Sequence, residues 1–269
     1  MAHVIVIPAR EASERFPGKL LRDDTGWPLI RHVHERCISV EGVDRVVVAV
    51  DGDPLRTAVE SFGGEAVVTD PALPTGTDRV AEAVRALQLD HEQDLVVNVQ
   101  GDEPEIDPQN VALLFARLEE SRGVSGASGG TKEESTRSSR LGVATLITRR
   151  TDPEGWLDPN RVKVVRSATG EGLYFSRAPV PRPRDGTAPA EWWLHIGVYG
   201  FLPGALARFQ EARVRGEAPS PLEAMERLEQ LRFLEMGIGI SVDEVAEGVG
   251  GIDTEADYHA FLARWRASS

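Results

Sequence analysis

The stretch His3 to Leu21 reads HVIVIPAREASERFPGKLL, a short β-branched run that stops at Ala9 and gives way to a loop of spaced charges. The residues beyond it repeat that punctuation. Helical spacing over Leu29 to Cys37 precedes a strand-like Arg45 to Val50, Pro54 to Phe62 precedes Ala66 to Val68, Asp78 to Leu87 precedes Leu95 to Val99, and Pro108 to Glu119 closes the series. Such alternation predicts an α/β fold with a doubly wound, mostly parallel sheet, in which ligands sit beyond the carboxyl ends of the strands. Chemistry is therefore expected just after these strands. Further strand candidates, Val143 to Ile147, Val162 to Val165, Gly172 to Phe175, Ile196 to Phe201 and Ile238 to Val242, have fewer helices between them. They predict a mixed sheet or a smaller lobe within a single domain spanning residues 1–269.

Composition narrows the classes. With 269 residues, 41% of them hydrophobic, the chain can bury a substantial core. Its longest apolar runs, such as Val46 to Val50, fall far below the ~20 residues of a membrane span. A soluble, cytoplasmic protein is expected. The single cysteine, Cys37, cannot form an internal disulfide, and no Cys/His cluster has zinc spacing. Against 30 basic residues stand 43 acidic ones, a net charge of −13 that would repel a nucleic-acid backbone. Nucleic acid is thus an unfavourable partner. Only three of the cations are lysines, Lys19, Lys132 and Lys163.

Between positions 10 and 22, four cations (Arg10, Arg15, Lys19, Arg22) face only Glu11 and Glu14. Gly18 lets the backbone approach a ligand and Pro17 stiffens the turn before it. Guanidinium forks and a compact ammonium, spaced after a strand, suit the non-bridging oxygens of a triphosphate; a solvated charge run is the plainer alternative. Neither a GxxxxGK[ST] loop nor GxGxxG follows the strand, so a P-loop ATPase and a dinucleotide enzyme are unsupported. Leu95 to Val99 runs into Gln100, Gly101, Asp102 and Glu103, placing these polar groups at the expected ligand edge. A carboxylate there suits Mg²⁺, which takes one or two protein carboxylates and completes its octahedron with phosphate and water. Asp253, in GGIDT, is a second isolated acid that could share the same ion.

Asp51-Gly52-Asp53 has the DxD form of a glycosyltransferase metal site, although a turn ahead of Pro54 explains it more simply. His195 and Tyr199, two positions either side of Gly197, fall on one face of a strand. From Pro219 the series Leu222, Met225, Leu228, Leu231 and Leu234 predicts one buried helical face, with Glu226, Glu229 and Gln230 beside it. Ser121 to Arg140 holds 12 Ser, Thr or Gly in 20 residues and predicts a mobile surface loop. Arg177 to Glu191 carries four prolines and leads into Trp192-Trp193, which predicts a subunit contact or a lid.

Together the stretches IPAREASERFPGKLL, TGTDRVAEAV, VVNVQGDEP, DPNRVKVV, LYFSRAPVP, HIGVYGF, SPLEAMERLEQLRFLEMG and GIDTEADY resemble, in order, the 3-deoxy-manno-octulosonate cytidylyltransferase (CMP-Kdo synthetase) family. The resemblance implies a nucleotide-diphospho-sugar transferase fold, a homodimer, Mg²⁺, and the transfer of CMP from CTP to an acid sugar with release of pyrophosphate. On that likeness Arg10, Lys19 and Asp102 are catalytic, and Pro8, Ala9, Arg10, Arg15, Lys19, Thr75, Gly76, Arg79 and Gln100 bind the nucleotide. Asp102 and Asp253 hold the metal, while Gln100, His195, Tyr199, Glu229 and Gln230 line the acceptor pocket.

Three departures fall on the acceptor side. Leu194 stands where the family usually has arginine, the 121–140 loop is longer than usual, and Glu247 to Gly250 replace a Pro-Gly pair. A small phosphonate such as phosphonoformate, activated as its CMP derivative, is the alternative acceptor. A DxD glycosyltransferase and a non-catalytic nucleotide-binding protein are the alternatives of other classes.

Overall fold

The computed structural model describes the whole chain except residues 13–14, 90–92, 127–140, 216–218, 247–249 and 269. In chain order the elements are β1 (His3–Ala9), α1 (Leu29–Ile38), β2 (Arg45–Val50), α2 (Asp53–Ser61), β3 (Glu65–Val68), α3 (Gly76–Ala86), β4 (Leu95–Asn98) and α4 (Pro108–Gly126). There follow β5 (Leu141–Arg150), α5 (Pro153–Leu157), β6 (Lys163–Arg166), β7 (Gly172–Ser176), β8 (Trp192–Phe201), α6 (Pro203–Val214), α7 (Pro221–Glu226), α8 (Gln230–Glu235), β9 (Gly239–Val245) and α9 (Glu255–Ser268). Packing divides these into two compact units, Met1–Ala112 with Val249–Ser269, and Leu113–Gly248. Among the described residues no helix is long and apolar enough to cross a membrane.

In the first unit β1 pairs in parallel with β2 on one side and β4 on the other, and β2 pairs in parallel with β3. Val4 through Ile7 have no exposure at all, as expected of a strand covered on both faces. Because the chain moves outward from β1 to β3 and then returns to β4, the topology reverses between β1 and β4. The crevice beyond their carboxyl ends is where an open α/β sheet presents its ligand. Arg10 follows β1 there, and Gln100 to Asp102 follow β4. The carboxy-terminal helix belongs to this unit through an aromatic cluster: His32 of α1 meets Phe261 at 5.2 Å and Trp265 at 4.6 Å.

The second unit is a mixed sheet, as the crowded strand candidates predict. Its centre, β5, runs antiparallel to β8 and parallel to β9, while β6 pairs antiparallel with both β7 and β8. Three expectations need correction. Residues 121–126, the start of the expected loop, continue α4 instead, and the rest of that loop lies outside the described residues. The expected helix of residues 222–234 is two short ones, broken at Arg227 in a left-handed conformation (φ 53). A spacing of three drifts around a helix of 3.6 residues per turn, and Met225 accordingly emerges 78% exposed. Trp192, finally, forms no free surface: its side chain is buried, with Nε1 donating to the Asp152 carbonyl at 3.0 Å. Trp193, on the opposite face of β8, lies under the guanidinium groups of Arg166 (4.1 Å) and Arg149 (5.0 Å).

Candidate active site

Gly18 adopts φ 68, which glycine accommodates without strain, and turns the charged loop into a single 3₁₀ turn over Lys19–Leu21. That turn aims the Lys19 side chain inward, where it is only 8% exposed. Its Nζ donates to Asp102 Oδ2 at 2.5 Å and to the Ile252 carbonyl at 2.6 Å, and lies 3.9 Å from Asp253 Oδ1. The two acids therefore meet around one ammonium, although about 150 positions separate them. Backbone fixes the arrangement independently: Ile252 N–H donates to the Asp102 carbonyl at 2.8 Å. A Cβ on Gly251 would stand 3.2 Å from Asp102 Oδ1, so glycine permits this approach. Arg15 closes the cluster by donating to Asp253 Oδ1 at 2.7 Å.

The remaining nucleotide candidates of the first unit lie at the end of β1, after β4 and in and just before α3. Thr75 caps α3, its hydroxyl accepting from Asp78 N–H at 3.1 Å. The next residue, Gly76, fits closely between Gln100 and Pro8: a Cβ there would lie 3.3 Å from Gln100 Oε1 and 3.5 Å from Pro8 Cγ. Ala9 is buried at the end of β1, and Arg10 beyond it is exposed. Arg79 is buried and donates to the Thr69 hydroxyl. Burial lowers the pKa of its guanidinium, Asp51 opposes that effect, and the charge of Arg10 lowers it further. Arg22 plays another part, packing its guanidinium over the rings of Phe16 and Tyr258 and pairing with Asp24 at 3.0 Å.

Two acids that looked available at the ligand edge are engaged elsewhere. Asp51 accepts the Glu11 backbone N–H at 3.1 Å from each carboxylate oxygen, and Asp53 pairs with Arg56 at 3.0 Å within the first turn of α2. The DxD tripeptide thus secures the charged loop and a helix start. Glu103 turns away from the ligand edge into the interior, where Oε2 has no partner among the described residues. Desolvation, reinforced by the charge of Asp102, raises its pKa to about 8.

His195, Tyr199, Glu229 and Gln230 belong to the second unit. In a straight strand His195 and Tyr199 would stand about 13 Å apart, yet their ring centroids are separated by 5.4 Å. The cause is a break in register between Thr145 and Leu146, whose partners on β8 jump from Tyr199 to Ile196. Such a bulge re-aims side chains. Thr145 donates its hydroxyl toward the Val198 carbonyl at 2.7 Å, and the same hydroxyl oxygen lies 3.0 Å from His195 Nε2. Burial pushes the pKa of His195 down to about 3, so the ring is neutral under physiological conditions. Gln230 is buried, its Nε2 without a partner among the described residues, and its helix docks on β8 through Phe233 and Phe201, 5.7 Å apart. Glu229, half-buried, precedes it. Glu226 is not part of a wet helix face: its carboxylate accepts from Ser176 at 2.6 Å and from Arg177 N–H at 2.9 Å.

Sequence reasoning missed the Ile252 carbonyl, the hook formed by Asp51, and Asn98, whose buried Oδ1 accepts from Gln100 Nε2 at 3.4 Å. The first could have been found only from the fold, since a backbone oxygen leaves no mark on residue type.

Cations for phosphate oxygens and hard carboxylate donors on one sheet edge meet the needs of a nucleotidyltransferase, and that is the class of enzyme to which this protein belongs. The chain belongs to the cytidylyltransferase family, whose model matches residues 4–240. It is 40% identical to the 3-deoxy-manno-octulosonate cytidylyltransferase of Myxococcus xanthus, covering 98% of this chain and 96% of that one. The enzyme of the same name from Anaeromyxobacter sp. (strain K) is 43% identical, with 96% and 95% covered. Among solved structures, CMP:2-keto-3-deoxy-manno-octonic acid synthetase complexed with CTP superposes with a TM-score of 0.85 at 35% identity, covering all of both chains. The fold expected from the sequence is the fold found.

Proposed function

We propose that this enzyme transfers CMP from CTP to 3-deoxy-manno-octulosonate, forming the CMP-sugar and pyrophosphate. The observation that carries the mechanism is the convergence of Lys19, Asp102 and Asp253 at the crevice between β1 and β4. Full-length likeness to relatives named for this acceptor supports it over a phosphonate.

In this reading Arg10, Arg15 and Lys19 receive the triphosphate, and Thr75, Gly76 and Arg79 receive the cytidine. The acceptor oxygen attacks the α-phosphorus as the bond to the departing pyrophosphate breaks, and its proton passes to solvent. No protein nucleophile is needed; positioning and stabilisation of developing charge do the work. Tyr199, Glu229 and Gln230 of the second unit orient the sugar, and His195, a neutral ring, offers a ring nitrogen to one of its hydroxyls.

Asp102 and Asp253 fit Mg²⁺: both present hard oxygens toward one cation position, which the Lys19 ammonium takes. A site that supplies few protein ligands suits an ion that retains water and phosphate. Bound there, Mg²⁺ would acidify the acceptor hydroxyl and screen two anions from each other. The family likeness further supports a homodimer, testable by light scattering.

Incubation with CTP, Mg²⁺ and 3-deoxy-manno-octulosonate tests the reading. Stoichiometric pyrophosphate and CMP-sugar are expected. Nucleoside diphosphate without pyrophosphate would instead indicate a glycosyltransferase, and CTP binding without turnover across a panel of acids would indicate a sensor.

A further inference from the structure

We infer that Lys19 is a placeholder cation, occupying the divalent-ion site between Asp102 and Asp253 until it is displaced. The inference rests on the metal assignment proposed above and adds that ion and ammonium exclude each other. Lys19 Nζ already has the surroundings of a small hard cation: a carboxylate oxygen at 2.5 Å, the Ile252 carbonyl at 2.6 Å and a second carboxylate oxygen at 3.9 Å. A divalent ion bridging the same carboxylates would lie within a few ångströms of that charge, where the Lys19 side chain is only 10% exposed and screening is weak. One of the two must leave. The four-carbon stem of lysine lets the ammonium swing to a nearby phosphate, so arrival of the triphosphate would vacate the site and supply the Mg²⁺ that fills it. Without nucleotide the carboxylates remain neutralised and in place.

The frame does not depend on the ammonium. Ile252 N–H holds the Asp102 carbonyl at 2.8 Å and Arg15 holds Asp253 at 2.7 Å. Removing the charge should therefore leave two aligned carboxylates with no cation between them.

Mn²⁺ binding to the full chain without nucleotide, followed by the paramagnetic resonance of the free ion, tests this. Lys19→Met and Lys19→Gln should each bind Mn²⁺ about tenfold or more tightly than the wild type, from the loss of one repelling charge, and adding Asp102→Asn should abolish the gain. Unchanged or weaker binding in the folded variants overturns the inference. A second measurement needs no variant. With only three lysines in the chain, the ¹³Cε signals of labelled lysine are few, and saturating Mg²⁺ should shift the one belonging to Lys19. Three unmoved signals contradict displacement. Wild-type pyrophosphate release together with either negative result would leave the catalytic reading standing and remove only the placeholder. Tighter Mn²⁺ binding in an enzyme that turns over no acid would do the reverse.

Discussion

Both carboxylate oxygens of Asp51 lie 3.1 Å from the backbone N–H of Glu11, clamping the start of the cationic loop to the end of β2. Arg10 is the residue immediately before this clamp. Asp51→Ala should release it and raise the KM for CTP about tenfold, the equivalent of one charge-assisted hydrogen bond of about 1.5 kcal/mol. Asp51→Asn, which keeps one acceptor oxygen, should fall between. Steady-state kinetics with CTP varied checks both; an unchanged KM in the alanine variant would show that the clamp does not organise the loop.

Gly101 separates Gln100 from Asp102, and a Cβ there would press against the Pro8 carbonyl at 3.0 Å and Ile30 Cδ1 at 3.3 Å. A backbone oxygen within β1 cannot swing aside. Gly101→Ala is expected to cost about 1–3 kcal/mol of stability, as overpacking generally does, and to raise the KM for CTP by displacing its neighbours. Urea unfolding and kinetics report the two effects separately.

Lys163 is wholly buried, and its ammonium donates to the carbonyls of Asp158 (2.7 Å), Arg161 (2.5 Å) and Arg177 (2.7 Å). It fastens the loop before β6 to the end of β7. Replacement by Met preserves volume but leaves three acceptors unpaired, each costing about 1–3 kcal/mol where water cannot reach it. A loss of at least about 3 kcal/mol in urea denaturation is expected; a loss under about 1 kcal/mol would mean that water replaces the ammonium.

Glu103 sets a pH dependence of stability. Its pKa in the folded chain is raised to about 8 by burial, whereas an unfolded glutamate titrates near 4.5. Between these values the folded state binds the proton and the unfolded state does not, so this residue's contribution is complete below about pH 4.5. It declines by about 1.4 kcal/mol per pH unit toward pH 8. His195 and His32, with pKa values lowered to about 3 and about 4, act in the opposite sense, each weakening the fold as the pH falls below 6.5. Comparison with Glu103→Gln isolates the carboxyl: the variant should gain stability relative to wild type from pH 5 to pH 8. A pH-independent difference would place a charged carboxylate in the interior.

Much of this was legible in the residues. The β1, β2 and β4 boundaries follow from β-branched runs bounded by polar loops, and the C-terminal ends of β1 and β4 carry the clustered cations and Asp102. That Asp253 joins Asp102 could be raised from the residues as one of several possibilities, but not its geometry, because the meeting is made by tertiary packing and by backbone groups such as the Ile252 carbonyl. Trp192 and Trp193 misled because adjacent strand residues face opposite ways, so a tryptophan pair in sequence is not a patch in space. His195 and Tyr199 were rightly given one face, but the bulge that brings their rings into contact depends on pairing with β5, which no local spacing records.

The most direct test couples product to metal site. Pyrophosphate and CMP-3-deoxy-manno-octulosonate should be measured together in the wild type, Asp102→Asn and Asp253→Asn at saturating CTP and Mg²⁺. Equal amounts of both products from the wild type, with turnover reduced at least about a hundredfold in each variant, are expected if the two carboxylates serve transition-state charge. Wild-type turnover that persists undiminished in Asp102→Asn would contradict the assignment.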